Sequence, residues 1–463
     1  EISKTMNKLK GKIYSINRID KILKEIDKIV IQKQFEFINA SYSETLGANS
    51  IDLNIKLTES RKEYVEKINI LGNYITNENV IRNEIISDEG DPYNEILFKK
   101  SLDKIRSKNI FKNVDASFIN EKNNTKDVNI TVEEKPTGEI FAGAGTGTTG
   151  SSLSAGIKEN NYLGKGIKLN TEATITDDQI KGKFTVQNPN FLNSDKSLNT
   201  TIESTTTDFF TSSGYKSSRT GFTVGTGFEQ YKDVFLNLEI SNYYENLETS
   251  STASSVLKKQ DGDYFENLIT YSLSLNKLDQ NFKPTDGSRT YFQQILPLYS
   301  EDWSVENSFS QSNYFSVSDN LILSSNFLFK AINAINDENV RVSKRVYVPG
   351  RNLRGFESGK IGPKDGSQFI GGNYASSLNL NSTLPNLLFE NEDIDFNFFV
   401  DMANVWHVDY DSSLDGNKIR SSTGIAVNWF SPIGPLSFSY AVPISDAETD
   451  IKEKFRFQIG TSF

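Results

Sequence analysis

Cysteine is absent from the 463-residue chain, and histidine occurs once, at His407. Without cysteine the chain cannot form a disulfide, a zinc–thiolate centre or a thiol nucleophile. With a single histidine, most histidine-based catalysis and metal binding are excluded. Basic residues are outnumbered too, because 50 Lys and Arg face 60 Asp and Glu and leave a net charge of −10. This balance argues against a nucleic-acid partner.

Nucleotide- and cofactor-binding motifs are missing as well. Gly359-Lys360 is followed by Ile361 rather than by Ser or Thr, so it does not complete a phosphate-binding P-loop. Residues 145–150 match G-x-G-x-x-G, but the apolar-periodic helix that a dinucleotide site needs does not follow them. The aspartates within 409–415 lack the bidentate glutamate of an EF-hand calcium loop. The sequence therefore predicts no nucleotide, no cofactor, no metal and no enzymatic activity.

Long apolar runs and a leader segment are the remaining absences. The sequence begins at Glu1 without an initiator methionine or a signal peptide, which predicts a processed or excised piece. It has no run of 18 apolar residues, so no transmembrane helix is predicted. The mean hydropathy of −0.46 would by itself suggest a soluble protein. A membrane barrel can have the same value, because every second residue of its strands faces a wet lumen.

Residues 1–136 contain an internal repeat of an amphipathic helix followed by two strands. Apolar positions in 19–26 and 98–105 recur every three or four residues, which marks one face of a helix. Residues 52–59 and 127–134 alternate apolar and polar side chains, as half-buried strands do. The repeat predicts a first module at 1–60, cut at its front, and a complete β-α-α-β-β module at 61–136.

The second module has further predicted features. A leading strand is expected at 66–71 and a first helix near 77–86, and Asn94 is a plausible N-cap for the second helix. The exposed edges of such small sheets can accept an extended guest strand. A pure spacer is the alternative interpretation of both modules.

After Pro136 the pattern changes to short alternating stretches separated by Gly, Asn, Asp and Ser. We count roughly sixteen of them, an even number that is typical of a bacterial membrane barrel. Most connections are short, but those near 245–262, 333–371 and 404–417 are long. Short turns on one rim and long loops on the other are expected for such a barrel. A soluble sandwich would usually stay within about five to nine strands.

The last and first barrel strands differ sharply in side-chain content. The apolar face of the last strand carries Phe455, Phe457, Ile459, Thr461 and Phe463, and its polar face carries Arg456, Gln458, Gly460 and Ser462. The first strand, 139–147, has Gly143, Gly145 and Gly147, which leave little side chain to pack. A barrel closed between these strands is predicted to have a weak seam. Alternatively, the glycines only make room for the curvature of the barrel.

The long segment 333–371 contains RNLRGFESGKIGPK at 351–364. Arg354 needs a carboxylate partner if it lies away from water. In 393–406 one parity is apolar and the other carries Asp395, Asn397 and Asp401. If this polar face lines a lumen, Arg354 could fold inward and meet Asp401. The alternative is a solvated surface loop whose arginine pairs with nothing.

These motifs together resemble the BamA family of outer-membrane β-barrel assembly proteins. Besides RGF followed by IGP, the resemblance rests on NYLGKG (161–166), QNPNF (187–191), LNKLDQNFKPTDGSR (275–289), FFVDMANVW (398–406), SPIGPLSFSYAVP (431–443) and FRFQIGTSF (455–463). It implies POTRA repeats in 1–136 and a 16-stranded antiparallel transmembrane barrel over 137–463. Where the family often has a second lumen-facing carboxylate, this chain has Asn381, which leaves Asp401 as the main candidate partner.

The resemblance also implies roles for particular residues. Leu353, Arg354, Gly355 and Phe356 correspond to the conserved motif of the lumen loop. Phe455, Phe457, Gly460 and Phe463 correspond to the C-terminal strand by which barrel proteins are recognised for assembly.

The function implied by the resemblance is folding and insertion of client β-barrels through the seam, without nucleotide. The implied partners are outer-membrane lipid, unfolded barrel clients and lipoprotein subunits that dock on periplasmic POTRA domains. A related translocation-assembly module or two-partner secretion transporter would share the fold. A passive porin is a third possibility, against which the POTRA-like repeats argue.

Overall fold

The computed structural model describes residues 38–46, 51–59, 63–120, 124–318, 320–335, 338–385, 393–414, 417–431 and 434–460. These residues form two compact units. One comprises the described residues up to Gly138 together with Glu159–Ile167 and Leu192–Ser194, and the other comprises the rest. No helix in the described part of the chain is both long and apolar enough to cross a membrane.

The first module is described only in its two strands, β1 (Ile38–Leu46) and β2 (Ile51–Glu59). They pair antiparallel, with Ile38 opposite Glu59 and Leu46 opposite Ile51. The alternating sequence of 52–59 thus forms the predicted strand. The helix predicted over 19–26 lies outside the described residues.

The second module has the predicted β-α-α-β-β order. Its elements are β3 (Tyr64–Leu71), α1 (Glu78–Arg82), α2 (Glu95–Ser107), β4 (Phe111–Asn120) and β5 (Thr125–Glu134). In the sheet, β5 lies between its neighbours, parallel to β3 and antiparallel to β4. Helix α1 is shorter than the helix predicted near 77–86.

The core of this module comes from the apolar positions of the helices and strands. Asn94 caps α2 as predicted, because its Oδ1 accepts the backbone N–H of Leu97 at 3.1 Å. The buried apolar residues include Ile68, Ile81, Phe98, Ile105, Val128 and Ile130. Each helix therefore packs the face that its periodicity marks onto one side of the small sheet.

The second unit is built from strands. In chain order they are β6 (Gly138–Gly147), β7 (Gly150–Tyr162), β8 (Ile167–Thr176), β9 (Gln179–Asn188), β10 (Ser197–Phe209), β11 (Tyr215–Tyr231), β12 (Val234–Thr249), β13 (Gly262–Asn276), β14 (Gly287–Ser300), β15 (Ser304–Ser318), β16 (Leu321–Ala334), β17 (Gly355–Phe356), β18 (Lys364–Asp365), β19 (Gln368–Phe369), β20 (Tyr374–Pro385), β21 (Ile394–Trp406), β22 (Arg420–Ser431), β23 (Gly434–Ser445), β24 (Lys452–Glu453) and β25 (Phe455–Gly460). A short helix, α3 (Ser255–Lys258), lies between β12 and β13.

All of these strands except β17, β18, β19 and β24 form a closed barrel of 16 strands, in which β25 returns to pair with β6. The predicted number of strands and the closed architecture are confirmed. Period-2 alternation explains the barrel, because one face of each strand can meet lipid while the other lines the lumen.

The distribution of long connections differs in part from the prediction. Because barrel strands alternate in direction, the connections after β12, β16 and β21 all lie at one rim, as the three long segments were expected to. The same rim also has two-residue turns at 148–149 and 177–178, and the opposite rim has a ten-residue connection at 277–286. The three long connections therefore share one rim, as expected, and the connection at 277–286 is longer than the short turns expected at the other rim.

Candidate functional site

The wall of the site is the inward face of β21. Asp401 is fully buried and Phe399 is 2 % exposed, whereas Phe398, on the opposite parity, is 53 % exposed. Alternation along the strand thus aims Asp401 and Phe399 into the lumen and Phe398 outward.

Arg354 of the connection between β16 and β20 meets this face. Its Nη2 lies 2.7 Å from Asp401 Oδ1, its Nε lies 2.7 Å from Asp401 Oδ2, and its backbone N–H donates to Oδ2 at 3.0 Å. The guanidinium centre lies 3.4 Å from the centroid of the Phe399 ring. The structure therefore brings together the two residues that the sequence selected, in a bidentate geometry that favours arginine over lysine.

Amide side chains complete the hydrogen bonding of this pair. Asn381 Oδ1 accepts a hydrogen bond from Arg354 Nη2 at 2.9 Å, and Asn379 Nδ2 donates to Asp401 Oδ1 at 2.8 Å. Asn379 Nδ2 also donates to the carbonyl of Asn352 at 2.7 Å. The cluster therefore contains one cation and one anion, and the neutral Asn381 stands on its far side, where a second carboxylate could have stood.

The residues after Arg354 explain the rest of the RGF motif. Gly355 has φ +91°, and a Cβ there would lie 3.2 Å from Ala441 Cβ, so a larger residue would be strained in backbone and crowded in space. Phe356 is 1 % exposed. It belongs to a buried apolar cluster with Val348, Leu353, Ile361, Ala375, Ala403 and Val405. The motif thus combines a charge lock with an apolar plug inside the barrel.

A second charge cluster anchors the start of the loop. Arg341 is 2 % exposed, and its Nη2 lies 2.6 Å from Glu266 Oε1 and 3.2 Å from Glu245 Oε2. Lys344 Nζ lies 2.5 Å from the same Glu266 oxygen. The guanidinium of Arg341 also stacks on Tyr264, 3.9 Å from the ring centroid. Glu245 and Glu266 lie on β12 and β13, so this cluster ties the loop to strands far from β21.

A third anchor is the ion pair between Arg345 and Asp409. Asp409 also accepts the backbone N–H of Val340 at 2.6 Å. Burial by itself would raise the pKa of Asp409, but the charge of Arg345 and the Val340 hydrogen bond hold this pKa below its ordinary value. The carboxylate therefore remains charged and binds the loop to the segment after β21.

Sequence reasoning did not find the anchors at Arg341 and Arg345. A usable signal was present, because a predicted lumen loop that carries several arginines requires inward-facing carboxylates. The partners could not be identified from it, since Glu266 is 75 residues from Arg341.

The seam between β25 and β6 is short in the described residues. Gln458 pairs with Gly147, Ile459 with Thr146 and Gly460 with Gly145. By contrast, β11 and β12 pair along the whole length from Tyr215 to Tyr231. The pairing of β25 with β6 closes the barrel, and the weakness that the sequence predicts for this seam stays a prediction.

The seam glycines permit close approach of the two backbones. A Cβ at Gly147 would lie 2.4 Å from the carbonyl oxygen of Phe457, and one at Gly460 would lie 2.2 Å from that of Ala144. Gly460 has φ +117°. Gly143 shares the parity of Gly145 and Gly147, facing away from the side of Ile140, which is 86 % exposed. The three glycines thus lie on the lumen-facing parity.

The two faces of the last strand are distinguished as predicted. Phe455 is 53 % exposed, whereas Arg456 is 7 % exposed and points to the lumen loop. Phe457 is partly buried and stacks near Phe455 with ring centroids 6.3 Å apart. Phe463 lies outside the described residues. Among the residues that the structure describes, no three His, Asp or Glu side chains are grouped to hold a metal ion.

A closed 16-strand barrel that follows a small β-α-α-β-β module and holds an arginine-locked loop in its lumen defines a transmembrane β-barrel of the POTRA-preceded class. The Omp85 superfamily domain matches residues 161–463, and the POTRA surface-antigen repeat matches residues 63–135. The chain belongs to the Omp85 superfamily. The resemblance seen in the sequence motifs is therefore confirmed.

Curated relatives point to one branch of this superfamily. The chain is 24% identical to the outer membrane protein assembly factor BamA of Neisseria meningitidis, with 100% of this chain and 65% of the relative covered. It is 23% identical to the BamA of Nitratidesulfovibrio vulgaris, with 93% of this chain and 55% of the relative covered. The chain thus spans less than two thirds of the length of these relatives. The barrel lies in the outer membrane, and the POTRA modules belong to the periplasm.

Solved structures show the same fold. The crystal structure of BamA from Haemophilus ducreyi lacking POTRA domains 1–3 has a TM-score of 0.75 at 24% identity, covering 98% of this chain and 95% of that chain. CdiB from Acinetobacter baumannii has a TM-score of 0.57 at 12% identity, covering 99% of this chain and 86% of that chain.

Proposed function

We propose that this protein is the core insertase of a β-barrel assembly machinery, and that it folds client barrels and inserts them into the outer membrane through the seam between β6 and β25. The observation that carries the proposal is the glycine-rich seam itself, in which β6 carries Gly143, Gly145 and Gly147 and its described pairs with β25 run from Gln458–Gly147 to Gly460–Gly145.

The physical argument starts from the cost of an open strand edge in lipid. Each unsatisfied backbone N–H or C=O group costs several kcal/mol in the hydrocarbon region. When the seam is open, a client strand that adds to the exposed edge of β6 satisfies these groups, in the way that an extended peptide adds to a sheet. The seam thus lowers the cost of bringing an unpaired strand into the membrane.

The driving force in this proposal is burial of the apolar face of the client in lipid, together with the backbone hydrogen bonds it forms. Neither step uses a nucleotide, a cofactor or a covalent reaction, so the protein acts as an insertase and not as an enzyme. The names of the BamA relatives, which are outer membrane protein assembly factors, support this role.

The POTRA modules would receive the partners. In the second module β3 and β4 form the two edges of the sheet. Backbone bonds of Val65 to Gly90 and Asp91 occupy part of the β3 edge, so the β4 edge is the one that can accept an extended segment of an unfolded client. Lipoprotein subunits docking on these modules complete the proposed assembly.

The test is insertion of a client barrel into liposomes that contain the full chain, with and without a disulfide across the seam. Thr146 and Ile459 are register partners, and the chain has no native cysteine, so Thr146→Cys with Ile459→Cys forms one unique bridge. We expect oxidation to stop insertion and reduction to restore it.

A matched control pair keeps this test specific. Ile425 and Tyr440 are register partners on β22 and β23 and are 51 % and 50 % exposed. A disulfide between cysteines at these positions should leave insertion unchanged. Full client insertion through an oxidised 146–459 bridge would refute the seam mechanism. A secretion transporter of the same superfamily would instead release one polypeptide across the membrane and insert no client, and a passive porin would show large steady currents.

A further inference from the structure

The start of the last strand, β25, and the segment before it are tied to the lumen loop. The loop strand β17 pairs antiparallel with β24, so that Gly355 lies opposite Glu453 and Phe356 opposite Lys452. Two further backbone bonds extend this pairing, from Glu357 N–H to the Ile451 carbonyl at 2.9 Å and from Ile451 N–H to the Lys360 carbonyl at 3.1 Å. The segment that leads into β25 therefore rests on the loop.

One side chain of β25 continues this connection into the strand itself. Arg456 donates from Nη1 to the Gly350 carbonyl at 2.6 Å and from Nη2 to the Phe356 carbonyl at 2.7 Å. Its Nε donates to Glu453 Oε2 at 2.8 Å. The Arg456 side chain is 8 % exposed, and hydrogen bonds of a buried charged donor are among the stronger ones in proteins.

The loop that Arg456 holds is itself held by Arg354 on β21. Ser422 Oγ of β22 also donates to the Arg354 carbonyl at 2.5 Å. Asp401 lies on β21 and Arg456 on β25, which are not neighbours in the barrel, and the loop is bonded to both strands. The start of β25 is therefore held in two ways: Arg456 bonds to the loop on the inward face, and the strand pairs with β23 along its edge.

The described residues after Arg456, 457–460, contact the first strand and the turn that follows it. They form the three pairs from Gln458 to Gly460, accept the Thr148 N–H at the Phe457 carbonyl at 3.1 Å, and donate from Gln458 Nε2 to Thr149 Oγ1 at 3.2 Å. Gly460, at the end of the described strand, sits in the left-handed region of backbone conformation. The described contacts of β25 with β6 thus lie at its Gly460 end, and its contacts with the lumen loop lie at its Arg456 end.

We infer that Arg456 is a positioning residue that clamps the start of β25 to the lumen loop and so holds this strand in place for pairing with β6, and that loss of the clamp widens the seam. This inference rests on the proposed function only in assuming that clients enter the membrane through the open seam. It predicts that the loop controls the seam through Arg456, and that Arg354 acts on the seam through the same loop.

The experiment measures the width of the seam in the full chain in lipid nanodiscs, with no client present. Spin labels on Thr146→Cys and Ile459→Cys report the seam, and labels on Ile425→Cys and Tyr440→Cys report the intact β22–β23 pairing. Pulsed electron-spin distance measurements then give the populations of short and long separations. Arg456→Met removes the donors, and Met can be accommodated because Arg456 borders a lumen cavity of about 370 Å³.

We expect Arg456→Met to raise the ratio of long to short separations at 146–459 by about tenfold, the change that loss of about 1.4 kcal/mol of closing free energy produces. The 425–440 distances should not change. Arg456→Lys should restore part of the short population, because a lysine can replace one donor but not the fork. Lys454→Gln, which removes an exposed positive charge from the same end of the strand, should resemble the parent.

A double-mutant comparison tests the route through the loop. If Arg354 and Arg456 act on the seam through one loop, Arg354→Ala should also raise the long population, and combining it with Arg456→Met should add less than the sum of the two effects. Full additivity would overturn the shared route.

Two other results would overturn the clamp. One is an unchanged 146–459 distribution in a folded Arg456→Met protein, with folding shown by its heat-dependent gel shift. The other is equal broadening at 146–459 and 425–440, which would mean general loosening of the barrel. The two hypotheses can fail separately. If the 146–459 disulfide stops insertion but Arg456→Met leaves the seam unchanged, only the clamp is refuted. If Arg456→Met widens the seam but the disulfide does not affect insertion, only the proposed function is refuted.

Discussion

Replacement of Arg354 by alanine is the most direct perturbation of the lumen site. It removes two charge-assisted hydrogen bonds to Asp401, one hydrogen bond to Asn381 and the contact with the Phe399 ring. Asp401, which is fully buried, is then left as an anion without a cation. Breaking a buried pair in this way typically destabilises a protein by about 3–5 kcal/mol.

The structure favours the lower end of that range. The Arg354 side chain is 15% exposed, so its charge is partly hydrated before the change. Asp401 also keeps the hydrogen bond from Asn379 at 2.8 Å and can keep the backbone N–H of residue 354 at 3.0 Å. We therefore expect a loss of about 3 kcal/mol, which in a domain of this size lowers the unfolding temperature by about 4–5 °C.

The assay is heating followed by semi-native electrophoresis, in which the folded barrel and the unfolded chain migrate differently. Arg351→Ala is the matched control, because Arg351 is an exposed arginine in the same loop. Arg354→Lys should fall between the two, since lysine keeps the charge but loses the bidentate geometry. An Arg354→Ala protein that unfolds at the parent temperature would refute the lock.

Two further predictions concern other parts of the barrel. The Arg345–Asp409 pair holds the pKa of Asp409 below its unfolded value, so the stability that the pair contributes is complete above about pH 4 and is lost as the pH falls through the folded pKa. Thermal unfolding between pH 6 and pH 3 should therefore show a smaller acid-induced loss in Asp409→Asn than in the parent, and equal slopes would contradict the pair's contribution. Phe398→Lys places a charge on the lipid side of β21, where Phe398 is 53 % exposed, and should destabilise the barrel by about 2–4 kcal/mol in bilayers. A stability equal to that of the parent, measured by urea-dependent folding into liposomes, would show that this face does not meet the hydrocarbon.

Much of the fold could be predicted from the local periodicity of the sequence. Alternation at every second residue predicted the strand number and the faces of β21 and β25, because the side-chain direction of a strand depends only on residue parity. The helical period and the Asn94 cap predicted the second module in the same way. The pair of Arg354 and Asp401 was one of two possibilities that the sequence left open, the other being a solvated loop whose arginine has no partner.

Only the tertiary structure decided which residues meet across the lumen. Arg341 contacts Glu266 from 75 positions away, and Arg456 reaches the Gly350 carbonyl from 106 positions away. Such contacts depend on the path of the loop through a closed barrel, and the sequence carries no local signal for that path. The seam shows the same division: glycine content predicted a weak strand, whereas the pairing of β6 with β25 arises only when the barrel closes and the ends of the sheet meet. Parity is a property of neighbouring residues, but closure is a property of the whole sheet, and this is why the sequence determined the strands while the fold determined the clamp and the seam.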